Sequence, residues 1–322
     1  MLEDTEEEIN RNILNKIPSS MTDLRLHQTA LPEIPIDIAI YIPARNEENE
    51  DRLTKTIASL RRNAHVSKLS IGIIVVNDGS TDHTGKIAKH LADYVVTLPD
   101  RGYSALGLPE LADTHNAGLK NIQLNYPDAK YIMVSGADTI YHEDYLRQVF
   151  DVMENNGEVV ICGGQMQEGV KSAPRSVRGS GRFYSQKIMR LLEFELPRFY
   201  AWESYPLYLA QTIGYKTFAI DTASYTSLRE PYQLIKWRNY GRGSYEIGFT
   251  LPYVFGRAGK LILKRKIGFA LGLLRGYFSA MITRKERYPK VIRKYVRSYQ
   301  WKRILYYLSF KKINLIERSE KK

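Results

Sequence analysis

The chain has 322 residues, 43% of them hydrophobic and 25% charged, which places it among globular proteins and excludes a disordered or fibrous one. Its net charge of +12 is uneven: Arg229 to Lys322 holds 24 Lys and Arg against 5 Asp and Glu, while the residues before it hold 23 against 30. A single cysteine, Cys162, excludes an internal disulfide and a cysteine-based zinc site, and it fits a reducing compartment. The length suits one large α/β domain or two smaller ones. The opening MLEDTEEE is acidic rather than a basic-then-apolar leader. No uncharged apolar run reaches the roughly 18 residues of a membrane span. Ile267 to Ile282 comes nearest and carries Arg275, so a cytoplasmic protein is expected.

Residues 1–35 read as an acidic arm with a helix from Glu6 to Ile17, broken by Pro32 and Pro35. The first apolar run, Ile36 to Ile42, predicts a buried strand ending in Pro43-Ala44-Arg45-Asn46-Glu47-Glu48. Asp51 to Arg62 follows with Leu53, Ile57 and Leu60 at helical spacing. Ile71 to Val76 predicts a second buried strand, which stops at Asn77-Asp78-Gly79-Ser80-Thr81-Asp82, a cluster of turn formers, before a helix from about Thr84 to Ala92. By itself this turn reads equally as a cap between strand and helix or as a carboxylate, Asp78, at a ligand-binding strand end. Tyr94 to Leu98 is a third strand, Asp113 to Leu124 a helix, Tyr131 to Val134 a fourth strand ending in Ser135-Gly136-Ala137-Asp138, and His142 to Asn155 a helix.

Four strand–helix alternations predict an α/β fold, a doubly wound, mostly parallel sheet flanked by helices. The carboxyl ends of its strands gather Glu47, Asp78 and Asp138. No GxGxxG follows any strand and no GxxxxGK[ST] occurs, which removes support for a Rossmann dinucleotide site and for a P-loop.

PARNEE after the first strand, VVNDGSTD after the second and an Asp-bearing loop after the fourth resemble the family 2 glycosyltransferases of the GT-A fold, over about residues 36–250. The resemblance implies a nucleotide-diphosphate sugar donor and an inverting, hexosyl-type transfer to an acceptor hydroxyl. It implies that Pro43, Arg45, Glu47 and Asp78 surround the base and ribose, where a carboxylate accepts from base N–H or ribose hydroxyl groups. The family's DxD triplet, which holds Mg2+ or Mn2+ against the diphosphate, is here Gly136-Ala137-Asp138, leaving Asp138 as the one acid. Capping of the next helix is the minority alternative for it, given its neighbours. Asp113 to Gly118 stands in the place of the family's ARNxG-like segment, so the resemblance puts His115 and Asn116 toward the donor sugar or diphosphate, with a structural role as the alternative for a lone His.

Glu158 to Gln165 predicts a strand toward the acceptor side, and Arg175, Arg178 and Arg182 in the glycine-rich stretch that follows suit an anionic acceptor or a solvated loop. Gly214-Tyr215 lies 11 residues after Glu203, which aligns Glu203 with the family's catalytic base and Trp202 with the acid before it. A helix-start Glu satisfying backbone donors is the bland alternative. Ala223 to Arg229 stands where many relatives place a metal-binding His, and it contains none. Arg238 and Arg242, in a stretch resembling the family's R-W/Y-x-x-G-x-G, are candidate phosphate contacts, since guanidinium forks match phosphate oxygens.

From Leu251 to Lys322 apolar, aromatic and basic residues alternate, with Phe269, Leu273, Leu274, Phe278 and Met281 at helical spacing. Such a basic amphipathic region suits peripheral contact with the inner membrane face, or packing onto the catalytic domain. The chain thus divides into an arm (1–35), a glycosyltransferase domain (36–250) and a basic helical region (251–322). The expected activity is transfer to a lipid-linked glycan or a polysaccharide, in glycan biosynthesis. The rivals are a non-catalytic nucleotide-sugar-binding or scaffold member of the fold and a sugar-phosphate nucleotidyltransferase. No nucleic-acid motif is present, so nucleic acid is not expected as a partner.

Overall fold

A computed structural model describes residues 26–27, 36–168, 171–229 and 234–309. Apart from Leu26–His27, which pair antiparallel with the strand Tyr94–Leu98, the arm with its expected helix lies outside these, as do the last residues of the tail. In chain order the elements are β1 (Leu26–His27), β2 (Ile38–Ala44), α1 (Arg52–Ser67), β3 (Ile71–Asp78), α2 (Thr84–Leu91), β4 (Tyr94–Leu98), α3 (Leu111–Asn125), β5 (Tyr131–Val134), β6 (Thr139–Tyr141) and α4 (Tyr145–Glu154). There follow β7 (Val159–Met166), β8 (Arg182–Ser185), α5 (Gln186–Leu191), α6 (Tyr205–Thr212), β9 (Lys216–Ser227), α7 (Leu234–Ile247), α8 (Leu251–Leu263), α9 (Ile267–Ile282) and α10 (Lys290–Leu308).

The Ile/Val runs form the centre of the sheet because both of their faces are covered. Along β2, Ile38, Ile40 and Ile42 pack with Leu53, Ile57 and Leu60 of α1, while Ala39 and Tyr41 face the opposite layer with α3. The strand order is β1-β4-β3-β2-β5-β8-β7-β9-β6, parallel from β4 to β5 and mixed beyond. The sheet is therefore less uniformly parallel than the alternation predicts. Among the described residues no helix lies between β7 and β8, and a parallel neighbour needs a crossover; β8 runs antiparallel to both β7 and β5.

The register fixes the upper edge. Ala44 of β2 pairs with Asn77 of β3, which sets the Arg45–Glu47 loop beside Asp78. Gly79 makes the tight turn there with φ of +63°, and a Cβ on it would lie 2.5 Å from the Asp100 Cα. Thr139 of β6 pairs with Ser227 of β9, so the end of the last strand comes back to Asp138.

The basic helices share the core of the sheet. Leu273, Tyr277, Tyr288, Ile292 and Val296 belong to the same buried cluster as Tyr41 and Ile132. The backbones of α9 and α7 touch: a Cβ on Gly276 would lie 1.9 Å from the Arg238 carbonyl oxygen, and one on Gly241 2.1 Å from that of Leu273. The stripe that the sequence offers for membrane contact is thus largely the packing face, with Leu273 fully buried and Phe269 stacked on Trp237 at 5.6 Å. Another face of the same hairpin is open, with Leu251, Phe255, Ile262 and Leu263 on α8 and Ile267, Leu271 and Ile282 on α9. Among the described residues no helix is long and apolar enough to cross a membrane.

Candidate functional site

Two neighbouring places at the carboxyl edge of the sheet hold the chemistry. The first surrounds Asp78, almost wholly buried at the end of β3. Its Oδ1 accepts from Arg101 Nη2 at 2.5 Å and from Thr114 Oγ1 at 3.0 Å. Arg45 braces the walls: its Nη1 donates to the carbonyls of Asp78 (2.5 Å) and Gly79 (3.0 Å), and its Nη2 donates to Asp100 Oδ1 at 2.6 Å. Pro43, opposite Val76 in the ladder, leads the chain into this turn. The glycine- and proline-containing loop after β4 is thereby tied to the strand ends through Asp100 and Arg101.

The second place is a cleft of about 280 Å³ lined by Asp138, Ser180, Glu203, Arg178, Tyr225 and Lys236, among others. Asp138 follows β5, and Glu203 sits in a single 3-10 turn, Trp202–Ser204, that opens α6. These carboxylates are 65 positions apart in sequence and meet only through the fold. The Glu203 carboxylate is half exposed, with Oε1 3.6 Å from Arg182 Nη2. A Cβ on Gly179 would lie 2.2 Å from the same Oε1, so only glycine there leaves the carboxylate its place.

The turn that carries Glu203 is held from three sides. Arg182 is buried in the sheet and donates to the carbonyls of Glu203 (2.7 Å), Val177 (2.5 Å) and Arg178 (3.1 Å). Buried and bound to backbone, Arg182 stands apart from any acceptor, unlike Arg178 in the cleft wall. Glu246 of α7 accepts from the Ala201 N–H at 3.2 Å, and Tyr288 donates to the Ala201 carbonyl at 2.5 Å. Burial pushes the Glu246 carboxyl from 4.5 up to about 8. The C-terminal region thus reaches the turn that carries Glu203 through Tyr288, in the segment between α9 and α10, as well as extending the core.

His115 and Asn116 do not line the cleft. His115 is buried, paired through Nδ1 with the Tyr41 hydroxyl at 3.1 Å and packed on Trp202 with ring centres 4.3 Å apart. Burial lowers its pKa to about 3, which keeps it neutral. Asn116 binds the backbone of Leu196 at both ends, donating to its carbonyl at 3.0 Å and accepting from its N–H at 2.7 Å. Arg238 is exposed on α7, and Arg242 donates to the Tyr200 hydroxyl at 2.8 Å and covers its ring. Neither lines the cleft, whereas Lys236 on the same helix does. Position 238 is about 200° around the helix from 236, so helical phase was the signal that separates them.

Arg101, Thr114, Gly179, Lys236 and Arg229 are the residues that motif reading passed over. Arg229 joins the two places: its Nη2 binds Glu47 Oε1 and its Nε lies 3.6 Å from Asp138 Oδ2. Glu47 is nearly buried, with Arg52 as a second partner at 3.9 Å. Burial pushes the Glu47 carboxyl up, against the pull of Arg229. A divalent cation at Asp138 would find one carboxylate with a guanidinium already beside it. Among the described residues no three His, Cys, Asp or Glu side chains converge as ligands. The residues present therefore fit a dedicated divalent site poorly.

Residues 39–202, half of the chain, match the family described as Glycosyl transferase family 2. Among curated proteins none matches the sequence. Solved structures of similar fold include TarS 1–349 of S. aureus, at 13% identity and a TM-score of 0.50 over 77% of this chain and 73% of that one. The same protein in complex with UDP-GlcNAc gives 12% identity and 0.51 over 76% and 73%. The mannosyltransferase PcManGT from Pyrobaculum calidifontis in complex with GDP-Man and Mn2+ gives 13% and 0.50 over 88% and 84%. At these identities the likeness is one of fold.

Proposed function

Because this chain belongs to glycosyl transferase family 2, we propose that it is an inverting glycosyltransferase that takes a nucleotide-diphosphate sugar and deprotonates an acceptor hydroxyl with Glu203. The observation that carries this reading is the cleft in which the half-exposed Glu203 carboxylate shares walls with Asp138, next to the buried Asp78. UDP-GlcNAc and GDP-Man bound to proteins of similar fold support a donor of this class.

Asp78 takes the nucleoside, accepting from a base N–H or ribose hydroxyl where it now accepts from Arg101 and Thr114. Arg45 and Pro43 hold the wall of that pocket. Asp138 faces the diphosphate end of the donor, and Lys236 and Arg178 supply positive charge to the same cleft. The acceptor hydroxyl enters beside Glu203, which accepts its proton as the oxygen attacks the anomeric carbon and the nucleoside diphosphate leaves. A base at hydrogen-bond reach is worth roughly 10²–10⁴ in rate. Mn2+ or Mg2+ at Asp138 is the family expectation, and among the described residues that single carboxylate would hold it, with phosphate oxygens and water.

The open apolar face of α8 and α9 is bordered by Lys260, Lys264, Arg265, Lys266 and Arg275. Apolar residues rimmed by cations suit an anionic membrane surface, which supports a peripheral location on the cytoplasmic face and a lipid-linked glycan as acceptor. The test is a thermal-shift screen of UDP- and GDP-sugars, followed by transfer with Glu203→Gln. Donor binding with turnover lost in that variant is expected; undiminished turnover removes Glu203 from the mechanism.

A further inference from the structure

We propose that Arg229 is the resident cation for the donor's diphosphate, so that this chain binds its donor without a divalent ion; the proposal rests on the nucleotide-sugar reading above. The geometry points to it from both partners of Arg229. Its guanidinium bridges Glu47, in the loop after the first central strand, and Asp138, after β5. These are acids from the two loops between which a donor running from Asp78 toward Glu203 must pass. The position of Arg229 is built in rather than incidental. Thr139 pairs with Ser227 in the β6–β9 ladder, the Leu228 N–H donates to the Asp138 carbonyl at 2.7 Å, and the Arg229 N–H and carbonyl both meet the Ser227 hydroxyl.

A guanidinium offers a diphosphate what a metal ion offers, positive charge opposite the leaving oxygens, and adds a fork of donors matched to phosphate. It is also an obstacle to a metal. A dication seated between Glu47 and Asp138 would meet Arg229 at contact distance, and no third carboxylate or imidazole joins them among the described residues. Were Arg229 to turn toward phosphate, Glu47 would keep a second cation, Arg52, at 3.9 Å. The raised pKa of Glu47 works in the same direction, since a proton can replace the lost cation. Lys236 and Arg178 line the same cleft as Asp138, so the phosphates would lie among three cations of this chain's own.

The experiment is calorimetric binding of inorganic pyrophosphate, UDP, GDP and their sugars, each in EDTA and in Mn2+, to the wild type, Arg229→Ala and Arg229→Lys. Wild type is expected to bind a diphosphate ligand as tightly in EDTA as in Mn2+. Arg229→Ala should lose roughly tenfold or more for pyrophosphate and the nucleoside diphosphate, the scale of a lost charge-assisted contact. Its affinity for the matching nucleoside, uridine or guanosine, should not change. Arg229→Lys keeps the charge without the fork and should fall between; its melting curve separates a binding defect from a folding one. Binding that appears only with Mn2+, or Arg229→Ala binding as the wild type does, overturns the proposal while leaving the donor reading standing. If no nucleotide sugar binds in either buffer the donor reading falls, and pyrophosphate then decides for Arg229 alone. Wild type that ignores pyrophosphate in both buffers overturns it too.

Discussion

Gly179→Ala separates the geometry of the cleft from the stability of the fold. The backbone of Gly179 lies outside the positive-φ region in which only glycine is at ease, so alanine adds no backbone strain. The added methyl would lie 2.2 Å from Glu203 Oε1 and 3.0 Å from its Cδ. An ordinary contact needs about 3.4 Å or more, so the carboxylate must retreat by roughly 1 Å. Half exposed and at the end of a flexible side chain, it can retreat into solvent at little cost to the fold. Its distance to an acceptor hydroxyl changes by the same amount, and a misplacement of about 1 Å costs on the order of 10²-fold in rate. The assay pairs release of nucleoside diphosphate, with donor and acceptor saturating, against the melting temperature and donor affinity. A kcat about 10²-fold lower with the other two unchanged is expected. Full turnover in Gly179→Ala would mean that Glu203 does not act from the position it occupies here, and the assignment of the base would fail with it.

Asn116→Ala should act on stability rather than on the donor. It strips both partners from the buried Leu196 backbone, at about 2 kcal/mol or more, read by urea denaturation, while donor affinity in the folded protein stays put. Glu246 gives a pH dependence. With its carboxyl raised from 4.5 to about 8, the native protein holds a proton that the unfolded chain has already released between these values. Stability is then full below about pH 4.5 and falls as pH rises toward 8, and Glu246→Gln should flatten that fall by at least about 1 kcal/mol in melts across the range. Leu263→Asp with Ile267→Asp should abolish co-sedimentation with phosphatidylglycerol-containing vesicles while leaving nucleotide-sugar binding intact; sedimentation equal to wild type would remove this face from membrane contact.

Periodicity and turn chemistry determined the parallel half of the sheet. Ile/Val runs of strand length, each stopped by turn formers and followed by helical spacing, can bury both faces only as central strands with crossovers, and those strands stand at Ile38–Ala44, Ile71–Asp78 and Tyr131–Val134. The same local signals marked Asp78 and Asp138 at strand ends, because a strand end is a property of neighbouring residues. Glu203 was legible only through the family resemblance, which aligns it by the 11 residues to Gly214-Tyr215, and it lines the cleft.

What the tertiary structure decided was side-chain direction and long-range pairing. Asn116 and Arg242 have the residue types of donor contacts, yet the positions of Leu196 and Tyr200 claim their hydrogen bonds. Lys236 faces the cleft and Arg238 does not, a matter of helix phase that depends on where α7 begins and what it packs against. The stripe with Leu273 turned inward because glycines bring α7 and α9 into backbone contact, which leaves Ile267, Leu271 and Ile282 to solvent. Arg229 lies 182 positions from Glu47 and 91 from Asp138. No local pattern carries a contact of that separation, and only the β6–β9 register, closing the far end of the sheet over the first strand's loop, brings that guanidinium between the two acids.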